Sequence, residues 1–244
     1  MAEQRHLRNA PITEALIDIR IRIKEGFDVS RLLSLHQHVA AQYPEKNERF
    51  RWEGKFNVAK GEPPASAGTT VDGYLFIAAD KKQIFQSRLD GFTFNRLMPY
   101  DKWETFRLEA HRLWQLYSDL ISPEIIRVAV RYINKMNIPL PIAKFTDYLV
   151  AAPIVPEGLP QGVSSFLTRV VMPSPETGVI TIITQAFEQV VEPQVLPIIL
   201  DIDVFKEREL FSEKEAWDTL DLLREIKNKA FFSSITDKAE ELFR

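Results

Sequence analysis

Asn9-Ala-Pro-Ile-Thr-Glu-Ala-Leu-Ile-Asp-Ile-Arg-Ile-Arg-Ile23 decides the fold: a turn-like Asn-x-Pro gives way to strict alternation of apolar and charged residues. Successive side chains of a strand point to opposite faces, so this alternation predicts a strand with one face buried and the other in water. Ile17, Ile19, Ile21 and Ile23 share the first face, and Asp18, Arg20, Arg22 and Lys24 the second.

Beyond this strand, Gly26-Phe-Asp28 breaks the pattern. Asp28 is placed to cap a helix reaching about Tyr43, with Val29, Leu32, Leu33, Leu35 and Val39 along it and Pro44 ending it. Phe50 to Val58 reads as a strand and Gly61 to Thr70, rich in small and turn-forming residues, as an exposed loop. Gly73–Ala78, Gln83–Leu89 and Phe92–Leu97 read as three further strands, and Asp90-Gly91 between the last two is a hairpin signal. From Asp101 to Leu120, Trp103, Phe106, Leu113, Trp114, Leu116, Tyr117 and Leu120 recur at helical spacing, and Pro123 closes that helix.

The same programme then repeats. Ile125–Asn134 is a predicted strand, Ile142–Val150 a short helix and Pro153–Gly162 a proline-rich loop. Phe166–Val171, Gly178–Phe187 and Leu196–Phe205 are three more strands, and Ser212 with Glu215 has the spacing of a capping box opening a helix to about Lys229. The order β-α-β-β-β-β-α followed by β-α-β-β-β-α suggests a duplication in one compact unit, residues 1–122 and 123–244. Pro11–Ile121 would then superpose on Glu124–Lys229. A meander of strands with helices to bury predicts an α+β fold, an antiparallel sheet with its helices on one side, saddle-like or helix-grip-like.

The composition narrows the function. With 244 residues and 45% hydrophobic content the chain supports a sizeable core. It has no cysteine, which excludes disulfides, thiolate metal sites and a cysteine nucleophile, and a cytoplasmic setting is the default. No segment has the apolar length of a membrane helix, so no membrane partner is expected. A net charge of −3 gives no overall attraction to polyanions. The phosphate-cradling, dinucleotide, hydrolase-elbow and zinc-protease motifs are absent, in keeping with only nine glycines. No catalytic residue, metal or cofactor is therefore assigned.

Three groupings remain. Arg20, Arg22, Arg127, Arg131 and Arg169, with Asp201 and Asp203, fall by alternation on the charged face and form the candidate binding surface. The plainer reading is a solvated face of cross-strand ion pairs. Asp201-x-Asp203, extended by Glu207 or Glu209, has the carboxylates for a magnesium-dependent phosphodiesterase, against an ordinary strand. Phe85, Phe92, Phe94, Trp103, Phe106 and Trp114, with Phe231-Phe232, offer either a core or a stacking platform for single-stranded nucleic acid. The four histidines are too dispersed for a metal site: His36 and His38 stand two apart on a helix, His111 lies mid-helix and His6 near the terminus.

The N-terminal stretch resembles an uncharacterised, sporadically distributed bacterial family that opens with Asn-Pro-Pro-Ile/Val-x-Glu-Ala and a strand, Ala10 replacing the first proline here. Three later blocks are similar to the same family: Gln83–Tyr100 with Trp103 and Phe106, Val130–Lys135, and the pair Leu200–Phe205 and Lys227–Asp237. The resemblance implies length, organisation and a bacterial or mobile-element setting, and it carries no catalytic residues. Together these features point to a non-enzymatic binding protein with a protein partner or a second copy, as a component of a mobile defence or toxin–antitoxin system. The alternatives are the metal-dependent phosphodiesterase and a nucleic-acid binder.

Overall fold

The computed structural model describes residues 7–23, 25–55, 66–188 and 194–244. Nine strands form one antiparallel sheet: β1 (Ile12–Ile21), β2 (Glu45–Lys55), β3 (Ser66–Ile77), β4 (Gln83–Arg88), β5 (Gly91–Leu97), β6 (Ile125–Pro139), β7 (Ser165–Ser174), β8 (Val179–Glu188) and β9 (Val195–Phe211), in the order β2-β3-β4-β5-β1-β6-β9-β8-β7. The helices are α1 (His36–Val39), α2 (Trp103–Ile121), α3 (Glu213–Ser234) and α4 (Asp237–Glu241). The fold is α+β, as the pattern of elements predicts.

β1 lies at the centre because its apolar face is continuous with those of both neighbours. Ile17 stands opposite Phe94 on β5 and Val130 on β6, and Ile19 opposite Phe92 and Val128; all six are buried. The helices cover this face. On α2, Trp103, Phe106, Ala110, Leu113, Trp114, Tyr117 and Ile121 are buried at helical spacing. Phe92 meets Trp114 edge-on at 5.7 Å, and Phe94 stacks on Phe106 at 5.3 Å. α3 begins at the predicted capping box: the Ser212 backbone N–H donates to the Glu215 carboxylate at 2.9 Å, and the Glu215 N–H donates to the Ser212 hydroxyl at 3.3 Å. The aromatic cluster is therefore core, Phe85, Phe92, Phe94, Trp103, Phe106 and Trp114 each being no more than 5% exposed, and a stacking platform is ruled out for these rings.

Several elements differ from the sequence reading. β1 ends at Ile21, so Ile23 is half exposed rather than buried. The helix after Asp28 starts as a 3-10 helix, Val29–Leu35, before the single turn of α1. β2 begins at Glu45 rather than Phe50, and β3 begins at Ser66, taking in half of the expected loop; positions 56–65 lie outside the described residues, as do His6 and Lys24. Ile142–Val150 shortens to a 3-10 turn, Phe145–Asp147, because tertiary contacts outweigh its weak local pattern: the Leu149 backbone bridges to Ile235 and Phe145 packs on Phe166 and Phe187. His36 is a packing residue, its ring 5.5 Å from Phe76 and its Nε2 3.0 Å from the Tyr43 carbonyl, and His111 sits 4.6 Å from Trp217.

Candidate functional site

The face turned away from the helices carries the charges that alternation assigns to it, and the register sets their neighbours. Asp18 stands between Thr93 on β5 and Ala129 on β6, and Arg20 between Gly91 and Arg127. Asp18 is buried rather than solvated. Its two oxygens accept from Arg88 at 2.8 Å, Arg127 at 3.0 Å, Arg20 at 3.1 Å and the Thr93 hydroxyl at 2.7 Å. Burial pushes this carboxyl up, but Arg88, Arg20, the Thr93 hydrogen bond and Arg127 together hold it below its ordinary value.

From Asp18 an alternating chain of charge runs both ways. Arg20 and Arg88 also pair with Asp90; Arg51 bridges Asp90 and Asp72, and Arg49 pairs with Asp72 on β3. On the other side Arg127 lies over the Phe205 ring at 4.2 Å, with Glu207 at 3.6 Å and Asp203 at 3.8 Å. Arg131 grips Asp201 two-pronged, at 2.9 and 2.6 Å. Six arginines (20, 49, 51, 88, 127 and 131) thus face six carboxylates (Asp18, 72, 90, 201 and 203, and Glu207). These twelve charges balance, so the ladder carries no surplus of the positive charge that binding to a polyanion uses.

Of the sequence-predicted residues, Arg20, Arg127, Arg131, Asp201 and Asp203 gather here. Arg22 lies past the end of β1, exposed, paired with Glu124 at 2.9 Å. Arg169 is exposed on β7, opposite Thr184, which in turn stands opposite Asp201. Sequence reading missed Arg49, Arg51, Asp72, Arg88 and Asp90, which reach the face through strand pairings set far along the chain; the Asp90-Gly91 hairpin beside Arg88 was the available hint. With its oxygens held by Arg131, Asp201 is poorly placed to ligate magnesium, and among the described residues no three histidine, aspartate or glutamate side chains converge as a metal site.

Past β9 the same face turns apolar: Ile180 and Ile182 on β8 lie beside Pro173 and Val171 on β7. Leu167 is 72% exposed and Val171 48%. The two sheet edges also differ. β2, at one edge, carries Glu45, Lys46, Glu48, Arg49 and Arg51, the charged guard that keeps an edge strand from pairing. β7, at the other, reads Ser-Phe-Leu-Thr-Arg-Val-Val-Met-Pro-Ser with one charge, and Val170 and Met172 are exposed on its opposite face.

No protein-family model matches the chain, and no curated protein matches it.

A second feature is a cavity of about 840 Å³ at one end of the sheet, walled by residues 7–12, 98–104, parts of 134–137 and the last turns of α3 with the C-terminus. Its walls are tied together by Asn9 N–H donating to the Phe243 carbonyl at 3.0 Å and Lys135 N–H to the Pro11 carbonyl at 2.8 Å. Lys227 projects from α3 into it, only 8% exposed, its Nζ 3.6 Å from the centre of the Tyr132 ring. The Tyr132 and Tyr100 hydroxyls are 2.9 Å apart, and burial pushes both up, Tyr100 to about 12. Burial, then Arg224, pushes the Lys227 ammonium down to about 7. Nothing in the sequence singled out Lys227, because four separate segments build its surroundings.

Proposed function

We propose that this is a non-enzymatic binding protein that takes a protein partner on the helix-free face of its sheet, at the side bounded by β7. The observation that carries this reading is the exposed apolar surface of Val171 and Pro173 beside Ile180 and Ile182, with exposed Leu167 further along an edge strand whose single charge is Arg169, next to a charge ladder that is already neutralised. Contiguous exposed apolar surface rimmed by polar groups is the usual make-up of a protein interface. An edge strand with a single charge also offers the backbone N–H and C=O groups of its outer side to an added strand. Arg169, exposed between Leu167 and Val171, supplies a charged contact for orientation.

Two further readings support the proposal. The strand order β2-β3-β4-β5-β1 runs outward from the β1–β6 seam much as β7-β8-β9-β6 does on the other side, with β2 unmatched; we infer a duplicated, saddle-like architecture of halves 1–122 and 123–244. In that arrangement β7 corresponds to β3, and the position that β2 fills beside β3 is open beside β7. The resemblance to the sporadically distributed bacterial family supports a role in a mobile defence or toxin–antitoxin system.

Sedimentation velocity of the purified protein, alone and with co-expressed products of neighbouring genes, tests this reading. A complex formed by the wild type, either a second copy or another chain, and lost in Leu167→Asp/Val171→Asp supports it. Salt-dependent binding of a single-stranded oligonucleotide that survives this double change, or a complex indifferent to it, would overturn it.

A further inference from the structure

We propose that the cavity around Lys227 binds a small organic anion, its acidic head on the lysine and its flat apolar body against the aromatic wall. Three observations converge. Lys227 lines the cavity more than nine-tenths buried, and among the described residues no carboxylate or hydrogen-bond acceptor meets its ammonium; its partner is the face of the Tyr132 ring. An ammonium has three donors, and a ring face satisfies it only in part. Leaving a buried charge without a counter-charge is costly, and an incoming anion supplies the missing one.

The cavity's size is that of a small-molecule site, and its lining is divided between apolar and aromatic surface, from Trp103, Tyr100, Phe231 and Phe243 among others, and charged and amide side chains. Five basic residues line it against two acidic ones, so its local charge is positive in a protein that is net negative. Arg224, one helical turn before Lys227, shares its side of α3 and lies 5.9 Å from the Trp103 ring, bringing a second cation towards the same space. The paired Tyr100 and Tyr132 hydroxyls stay protonated at neutral pH, so they contribute no anion of their own. The depressed lysine supports the same conclusion, since a bound anion restores its charge.

This site is separate from the proposed β7 interface, and either stands without the other. Calorimetric titration of the full chain with two matched pairs, indole-3-acetate against indole-3-acetamide and adenosine monophosphate against adenosine, tests it. The wild type is expected to bind the anionic member of at least one pair about tenfold or more tightly than its neutral partner, the effect of one charge-assisted contact. The pair that responds distinguishes a carboxylate from a phosphate head. Lys227→Met is expected to erase that preference, and Lys229→Met, an exposed neighbour, to keep it. In the unmutated protein the bound anion, and not the neutral partner, is expected to slow reductive methylation of Lys227 several-fold, a readout independent of how the variant folds. Absence of anion preference in the wild type, its persistence in a folded Lys227→Met, or methylation unaffected by the anion would each overturn the assignment.

Discussion

Arg131 stands directly opposite Asp203 in the β6–β9 register, yet its guanidinium closes on Asp201, two residues along β9. Asp203 is left with Arg127 at 3.8 Å, and burial pushes its carboxyl up, Asp201 and Asp18 adding to the rise against Arg127 and Arg131. The two neighbouring aspartates therefore have opposite energetic roles. A carboxyl raised by folding stabilises the fold only while protonated, and that contribution is lost as pH rises through its folded value. At pH 7 Asp203→Asn is expected to leave the denaturation midpoint unchanged or raise it, whereas Asp201→Asn breaks the two-pronged pair and costs about 1–3 kcal/mol. Urea unfolding of the two variants checks the contrast.

Asp18 works in the other direction. Its folded value is lowered, so its contribution is complete above the ordinary carboxylate range and is lost as pH falls through the folded value. Asp18→Asn leaves the buried Arg88 with Asp90 as its remaining counter-ion and is expected to cost about 1–3 kcal/mol at pH 7. The difference from wild type should shrink in acid, which unfolding at a series of pH values below 5 reads directly.

Gly91 fixes the hairpin that brings Arg88 and Asp90 to Asp18. Its φ is +152°, and a Cβ there would run into the Ile19 backbone carbonyl on β1. Neither backbone atom can move without separating β5 from β1. Gly91→Ala is expected to destabilise by about 2 kcal/mol or more, measured as a loss in thermal midpoint. Gly158→Ala also meets a positive φ but open space, and is expected to cost less.

How much of this was legible follows from where each signal lies. The period-two run at Ile17–Ile21 disclosed the central strand, and the spacing of Trp103 to Tyr117 disclosed α2, because both patterns are local. The capping box at Ser212 and Glu215 is local as well. The burial of Asp18 was hidden: alternation assigns a side chain to a face, while what covers that face depends on Arg88 and Arg127, 70 and 109 positions away. Lys227 was hidden more completely, since on α3 alone it is one charged residue among many, and the N-terminal segment, the β5–α2 connection, β6 and the C-terminus together enclose it.

That enclosure has a signature in pH. Lys227 is held near 7 in the fold against 10.5 for an ordinary lysine, so between these values the unfolded chain carries a proton that the folded one lacks, and stability rises with pH. Of its neighbours, Tyr100 and Tyr132 do not titrate in the fold in this window. From pH 7 to 9.5 the wild type is expected to gain roughly 2–3 kcal/mol, and Lys227→Met to lose that slope, as read by chemical denaturation across the range.

The placement of the partner is tested most directly by backbone hydrogen exchange on the protein in complex, whether with a second copy or with a neighbouring gene product, against the free monomer. Slowed exchange along Ser165–Ser174, with Glu45–Lys55 at the opposite edge unchanged, is the result expected of a partner seated at β7. Protection confined to β2 or to the exposed sides of α2 and α3, with β7 unaffected, would contradict it.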